Sequence, residues 1–477
     1  MLSALGMQAA AKYSNVIVQL GITMILARLL TPEEYGTVAI VTVFTSFFSI
    51  LADMGISTAI IQYKDLTRRD FDGLMFFCLL LGIGFAGIFC LLSLPIAAIY
   101  SDFQLVPLCC LASLQVLFAT LNMVPNGILL RERRFGAVSV RLVVASVVSG
   151  ALSIGLATLG FGCYALVWQA VASAGIVLLW NWSATKVRLS NIHFIAPLRR
   201  IWRFSIYQAG FSTVNYFARN LDNLLVGAIM GSKQLGFYDK AYRLMGYPIN
   251  YLTGIFSDVL QPYLSVYQDQ RRKLYESWVG ICRILALVGM FVTAVFAVFP
   301  DEIILIMFGD QWKPAAPVLV TLGLSVGVQM VNSTSGAIFQ SAGRTDELLK
   351  SGLICTGVSI VAILCGVATG SLALLGLCIS ISYCIHFGIT VRLLVMKVLG
   401  VKAGEFLKTF VPSTAAAVAG VTLGLIAGAV VLQFGTALAI VAKAAGCVAG
   451  YALVILVTKE WHALGVFRDM KRLGTEI

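Results

Sequence analysis

The sequence predicts an all-α polytopic membrane protein of about 14 transmembrane helices. Two pseudo-symmetric six-helix lobes form a parallel repeat, and two extra C-terminal helices follow them. Three observations predict this. The 477 residues are 59% hydrophobic and 12% charged, with a mean hydropathy of +0.92, whereas soluble domains are about a quarter charged. Apolar runs near the ~20 residues needed to cross a bilayer recur along the whole length. Basic and acidic loops alternate, and a set of features recurs 200–210 positions later.

In chain order the spans fall near 12–30, 36–60, 74–99, 106–130, 139–159, 161–183, 203–230, 236–261, 279–300, 315–340, 349–369, 372–396, 406–432 and 435–457. The first follows MLSALGMQAAAKYSN, which has one lysine and no small-residue cleavage pattern, so a removed leader is not expected. Loops after even-numbered spans, with the C-terminal tail, hold 23 of the 34 basic residues, among them Arg68, Arg131, Arg134, Arg199, Arg271, Arg344, Lys397 and Lys402. Loops after odd-numbered spans hold Lys233 and Lys313 beside acidic Glu33, Glu34, Asp102, Asp301, Glu302 and Asp310. Basic loops stay on the cytoplasmic face, so both termini are expected there. The net charge of +12 then reads as attraction to anionic lipid rather than to nucleic acid.

The repeat aligns Glu34-Tyr35-Gly36 with Gln234-Leu235-Gly236, Asp53 with Asp258, Tyr100-Ser101-Asp102 with Phe308-Gly309-Asp310, and Asn126-Gly127 with Ser335-Gly336. Six spans, an even number, separate the copies, so both keep one orientation. Parallel repeats of this kind build transporters whose substrate site lies between the halves. The predicted domains are an N-terminal lobe at 1–183, a basic amphipathic linker at 184–202 lying on the membrane surface, a C-terminal lobe at 203–400, and spans 13 and 14 with the tail at 401–477. Span 13 carries Ala416, Gly420, Gly424 and Gly428, and span 14 carries Gly446 and Gly450. Small residues at this spacing let helices approach closely.

Polar residues concentrate on spans 1, 2, 4, 7, 8 and 10, while spans 3, 5, 6 and 9 carry far fewer. In span 7, Gln208, Ser212, Asn215, Arg219 and Asp222 follow a 4-3-4-3 spacing that holds them on one face. Span 8 has Asp239, Arg243, Asn250, Thr253 and Ser257 along one side with Asp258 adjacent, Lys240 is a further cation of that span, and span 2 ends its stripe at Asp53. Such faces must look onto protein or water, because lipid cannot satisfy them. An i,i+3 pair such as Arg219 and Asp222 contributes a few tenths of a kcal/mol on a helix, too little to account for two charges at bilayer depth. Arg28, at the outer end of span 1, suits either a cavity cation or a side chain snorkelling to headgroups.

Enzymatic constellations are missing from the sequence. No P-loop is present, the eleven cysteines and three histidines show no metal-ligand spacing, and the outer loops are too short to build a catalytic domain. No cofactor is expected, and the protein is not expected to be an enzyme.

ARLLTPEEYGTVAIV (27–41), LADMGISTAIIQ (51–62) and ARNLDNLLVGAIMGSKQLGFYDKAYRL (218–244) resemble the polysaccharide-transporter branch, the Wzx-type oligosaccharide flippases, of the multidrug/oligosaccharidyl-lipid/polysaccharide exporter superfamily. The resemblance covers spans 1 to 12, and the 14-span count is that of the related lipid II flippases. It implies alternating access in a bacterial inner membrane, with undecaprenyl-diphosphate-linked oligosaccharide as cargo, an inward H+ or Na+ flux as coupling, and polysaccharide polymerase or export machinery as neighbours. Many polysaccharide exporters have 12 spans, so spans 13 and 14 depart from that pattern. Expected substrate-binding residues are Arg28, Arg219, Asp222, Asn215, Lys240 and Arg243; expected ion-coupling residues are Asp53, Asp222 and Asp258. An arginine fork suits a diphosphate. Two other readings stand beside this one. A multidrug or organic-cation antiporter of the same superfamily calls for an acidic cavity, and a membrane glycosyltransferase or polymerase calls for a large outer loop.

Overall fold

The spans predicted from apolar runs correspond one for one to helical rods. The computed structural model describes residues 2–53, 55–189, 194–265, 268 and 270–458; within these, the side chains of 2–12, 135, 196–197, 200–209, 211, 214–215, 218, 254–263, 265, 434 and 436–437 lie outside the description. Among the described residues every regular element is helical. Span 1 is Leu2–Leu29, span 2 is Pro32–Asp53 continued by Ile56–Gln62, span 3 is Arg68–Tyr100, and span 4 is Leu105–Arg131. Spans 5 to 9 are Phe135–Thr158, Cys163–Thr185, Ile195–Met230, Ser232–Ser265 and Arg271–Val298. Span 10 is a chain of short pieces between Asp310 and Ser341, bent by 48°. Span 11 is Thr345–Ala368, span 12 is Leu372–Thr390 running into the π-helix Val391–Val398, span 13 is Ala403–Lys408 with Val411–Val431, and span 14 is Thr436–Thr458. Ten described helices are long and apolar enough to cross a membrane, and the bent span 10 makes eleven. Spans 7 and 8 are the least apolar rods, as their polar stripes require. The linker differs from its expected form: residues from Ile195 onward continue without a break into span 7.

The repeat is written in the backbone as well as in the side chains. Span 3 ends at Ser101 with φ 53°, and the matching Gly309 has φ 98°. Span 4 ends at Arg133 with φ 54° and span 10 at Gly343 with φ 67°, 210 positions on. Both ends close alike: Arg134 N–H donates to Leu129 O at 3.0 Å, and Arg344 N–H donates to Phe339 O at 2.9 Å. A left-handed residue after the last turn, with a six-to-one bond behind it, satisfies carbonyls that a helix end otherwise leaves open. Elsewhere the halves diverge. Gly55, with φ 68°, breaks span 2 just after Asp53, whereas span 8 is continuous from Ser232 to Ser265.

Packing divides the chain into two compact units, Met1–Asp239 with Met307–Gln311, and Lys240–Ile306 with Trp312–Ile477. This boundary falls inside span 8, not at the linker 184–202 where the repeat divides the chain. In the first unit, the repeat-related glycines account for the difference. A Cβ at Gly36 would lie 1.7 Å from Ser232 O, and one at Gly236 would lie 2.0 Å from Pro32 O. Spans 2 and 8 therefore meet backbone to backbone at their N-terminal ends. Span 7 docks below them, with Tyr216 Oη–H donating to Val43 O at 2.5 Å and Tyr100 Oη–H to Leu224 O at 3.3 Å.

In the second unit, spans 13 and 14 pack closely. A Cβ at Gly446 would sit 2.6 Å from Leu423 O, and one at Gly450 would sit 2.6 Å from Ala419 O. Lys443 Nζ of span 14 meets Glu302 Oε1 at 2.8 Å, and Tyr451 Oη–H donates to Leu287 O of span 9. Toward its other end span 13 stands off, leaving an apolar cavity of about 730 Å³ lined by Met290, Val331, Phe387, Phe410 and Thr414 among others. At that end the buried Glu347 carboxylate accepts from Lys397 at 2.7 Å, and from Arg344 and Lys350 at 3.2 Å, tying span 11 to the π-helix of span 12.

Gly450→Val forces spans 13 and 14 apart. Overpacking of this kind costs about 1–3 kcal/mol, so the purified protein should melt at a lower temperature. Gly357→Ala, at a helical position with nothing within 4 Å of the added methyl, should not lower the melting temperature.

Candidate functional site

Span 7 carries the charged center of the first unit. Asp222 is 4% exposed. Its Oδ2 accepts from the Tyr238 hydroxyl at 2.6 Å and its Oδ1 from the Asn223 N–H at 2.8 Å. Tyr238 is fully buried on span 8, two residues before span 8 leaves the unit, so the Gly36–Gly236 contact holds the phenol where the carboxylate needs it. Arg219, one turn earlier on span 7, is exposed and makes no hydrogen bond or ion pair among the described residues. The structure thus brings Asp222 to Tyr238 rather than to Arg219. An uncompensated arginine on a membrane-depth helix is a cation available to an anionic ligand.

Arg28 is exposed in the last turn of span 1, its stem 3.6 Å from where a Cβ of Gly309 would lie. Gln311 Nε2 caps that helix end, donating to Ala27 O at 2.6 Å and Leu30 O at 3.0 Å. Asp53 is the last residue of the first part of span 2. Its Oδ1 is buried without a hydrogen-bond partner, directly beside the Gly55 break. Irregular backbone at bilayer depth is tolerated where protein or a hydrated cavity surrounds it.

In the second unit, Lys240 is 4% exposed, with Nζ 5.8 Å from the centroid of the buried Trp312 ring. That distance suits a cation–π contact. Arg243, on the same helix, is exposed. Asn215 and Asp258 lie on helices, but their side chains fall outside the described residues.

Three features escaped the sequence reading. Tyr238 counted as apolar, and the hydroxyl that serves Asp222 gives no periodic signal. Span 5, grouped with the less polar spans, buries Ser139, Arg141, Ser149 and Ser153; Arg141, the single charge within that apolar run, was the available signal. The Glu347 cluster joins residues 50 positions apart, a separation that local spacing does not reveal.

The fold defines the class: a polytopic all-α membrane protein. The chain aligns with the solved lipid II flippase MurJ in an inward closed conformation at a TM-score of 0.71 and 11% identity, covering 94% of this chain and 99% of that one. The family model described as polysaccharide biosynthesis protein matches residues 25–317, and the chain belongs to that family. It is 25% identical over 375 residues to the teichuronic acid biosynthesis protein TuaB of Bacillus subtilis (strain 168), covering 76% of this chain and 77% of that protein. It is also 25% identical over 378 residues to the lipopolysaccharide biosynthesis protein WzxC of Escherichia coli (strain K12), covering 76% and 74%.

Removing the Tyr238 hydroxyl leaves a buried carboxylate oxygen unsatisfied, which costs about 1–3 kcal/mol. Tyr238→Phe should therefore unfold at lower denaturant than the parent. Combined with Asp222→Asn it should cost less than the sum of the two single changes. Additive losses in equilibrium unfolding would show that the two side chains do not act together.

Proposed function

We propose that the protein is a flippase that moves an undecaprenyl-diphosphate-linked oligosaccharide from the inner to the outer leaflet of a bacterial inner membrane. The sugar supplies a polysaccharide pathway and the protein does no covalent chemistry. The observation that carries this is Arg219, an exposed cation on the polar face of span 7 to which the described residues offer no carboxylate. Family membership and relatives named for teichuronic acid and lipopolysaccharide biosynthesis support the cargo class. A fold shared with a lipid II flippase supports the mode of transport.

In this reading both termini are cytoplasmic, the two repeat halves act as lobes, and the site alternates between leaflets. Arg219, Arg28, Lys240 and Arg243 neutralise the diphosphate, with Asn215 and Asp222 completing the polar face. In a low-dielectric setting a guanidinium fork on a diphosphate is among the stronger charge-assisted contacts. The backbone contact of Gly36 with span 8 must part when the outer end opens. Asp53, Asp222 and Asp258 couple the movement to H+ or Na+: a carboxylate contributes coupling when the ion binds it differently in the two states. The buried, unpartnered Oδ1 of Asp53 supports that role.

Arg219→Ala should abolish polymer export in cells while protein level and membrane insertion stay normal. Wild-type export from that variant would remove the basis of the proposal. Coupling is read separately in vesicles holding a pH or sodium gradient. There the triple change Asp53→Asn, Asp222→Asn and Asp258→Asn should eliminate the effect of the gradient on flipping, and an unchanged gradient response would exclude these carboxylates.

A further inference from the structure

Arg141, on span 5, is a second buried cation of the first unit. Its side chain is 5% exposed. Nη1 donates to Asn126 Oδ1 of span 4 at 3.2 Å, and Nε is buried with no hydrogen-bond partner. A guanidinium has five N–H donors and no acceptor, so one neutral amide leaves most of its capacity and all of its charge unmatched.

The sequence sharpens this. Span 5 packs against spans 1 and 6 and touches span 4. None of these four spans contains an Asp or Glu: the first acidic residue of the chain is Glu33, and none occurs within 105–131, 135–158 or 163–185. Their charged side chains are Lys12, Arg28, Arg131 and Arg141, all cations. The nearest acidic residue in sequence, Glu132, lies in the loop with an exposed side chain 3.7 Å from Arg134. Among the described residues, none of the helices that pack on span 5 offers Arg141 a carboxylate.

Snorkelling does not account for it. Arg141 stands six residues into its helix, about 9 Å from the end at 1.5 Å per residue, within reach of the interface for a long side chain. Instead it turns inward to Asn126. Nor is it scaffold shared by the repeat: 210 positions later stands Ser351. Asn126 is half-buried, so the pair has an approach from the surface. One turn deeper, Asn181 Nδ2 donates to Asn122 Oδ1 at 2.7 Å, and Asn181 Oδ1 has no partner. The polar path thus continues inward along span 4.

We propose that Arg141, oriented by Asn126, is an anion-binding site for the phosphate groups of the lipid-linked cargo at the end of the first unit that bears the basic loops. This rests on the flippase reading and adds a loading position to it. Nine ångströms from the helix end is shallow enough for the phosphates of a lipid whose tail stays in the hydrocarbon, and bidentate guanidinium geometry suits them. The site precedes Arg219 on the route from that leaflet.

The test is binding of geranylgeranyl diphosphate to the purified full-length protein in phosphatidylcholine nanodiscs, with geranylgeraniol as the uncharged control and phosphatidylglycerol as competitor. Affinity is read by native mass spectrometry and by the rise in melting temperature that the probe produces. The parent should bind the diphosphate and not the alcohol, and Arg141→Gln should weaken binding at least tenfold. Asn126→Asp supplies a carboxylate beside the guanidinium; it should fold at least as well as the parent and also lose the probe-induced rise. Arg141→Lys should recover part of the affinity.

Parent-like affinity in Arg141→Gln or Asn126→Asp, alongside loss in Arg219→Gln, would overturn this inference and leave the flippase reading standing. Failure of the parent to bind the diphosphate would overturn both. Full displacement by phosphatidylglycerol would assign the site to bilayer lipid and overturn the inference alone.

Discussion

Hydrocarbon offers a charge nothing, and the rest of this structure follows from that constraint. A buried ion in a bilayer must be met by another protein group, by water or by a ligand. The chain uses the first solution openly at several places. Lys443 meets Glu302, three cations meet Glu347, Asp222 meets a tyrosine and a backbone N–H, and Lys240 lies over the face of an indole. The ion pairs neutralise charge, the neutral partners only solvate it, and all of these contacts fix helices to one another. Against that background Arg219 and Arg141 stand apart, since the described residues give neither a carboxylate.

The fold was legible because its signals are repeated and one-dimensional. Apolar length marks each rod, loop charge marks each reversal, and both recur along the whole chain. The repeat was legible at Gly36 and Gly236 because close approach of two backbones admits no side chain, so the residue type itself carries the geometry. What could not be read was where packing would cut the chain. The contact that draws the start of span 8 into the first unit joins residues about 200 positions apart. No local pattern encodes which glycine will meet which. The breaks in span 10 and the π-helix closing span 12 were likewise hidden, since both occur inside apolar runs whose composition does not change.

The candidate site was legible to the extent that its residues form stripes. Arg219 and Asp222 were found because five polar residues share one face of span 7. What partners Asp222 was not legible, because spacing along one helix does not say what the next helix brings. Tyr238 arrives from span 8 and takes the carboxylate. Arg141 was passed over for the opposite reason: it has no companions on its own helix, and its partner Asn126 was counted with span 4. A lone arginine in an otherwise apolar span is costly in itself, and that cost, not periodicity, was the clue.

The two halves, matched at their helix ends, are unequal in charge, and the inequality bears on how tightly the cargo is held at that end. Span 5 has Arg141 where span 11 has Ser351; span 2 breaks beside Asp53 where span 8 runs on. Spans 1, 4, 5 and 6 have no acidic residue, while span 11 opens with Asp346 and Glu347. Because the repeat is parallel, Ser351 stands at the same end of its half as Arg141 does, so that end carries one unmatched guanidinium rather than two. A second cation there would double the attraction that the cargo must later escape, and transport requires sites favourable enough to enter yet weak enough to leave.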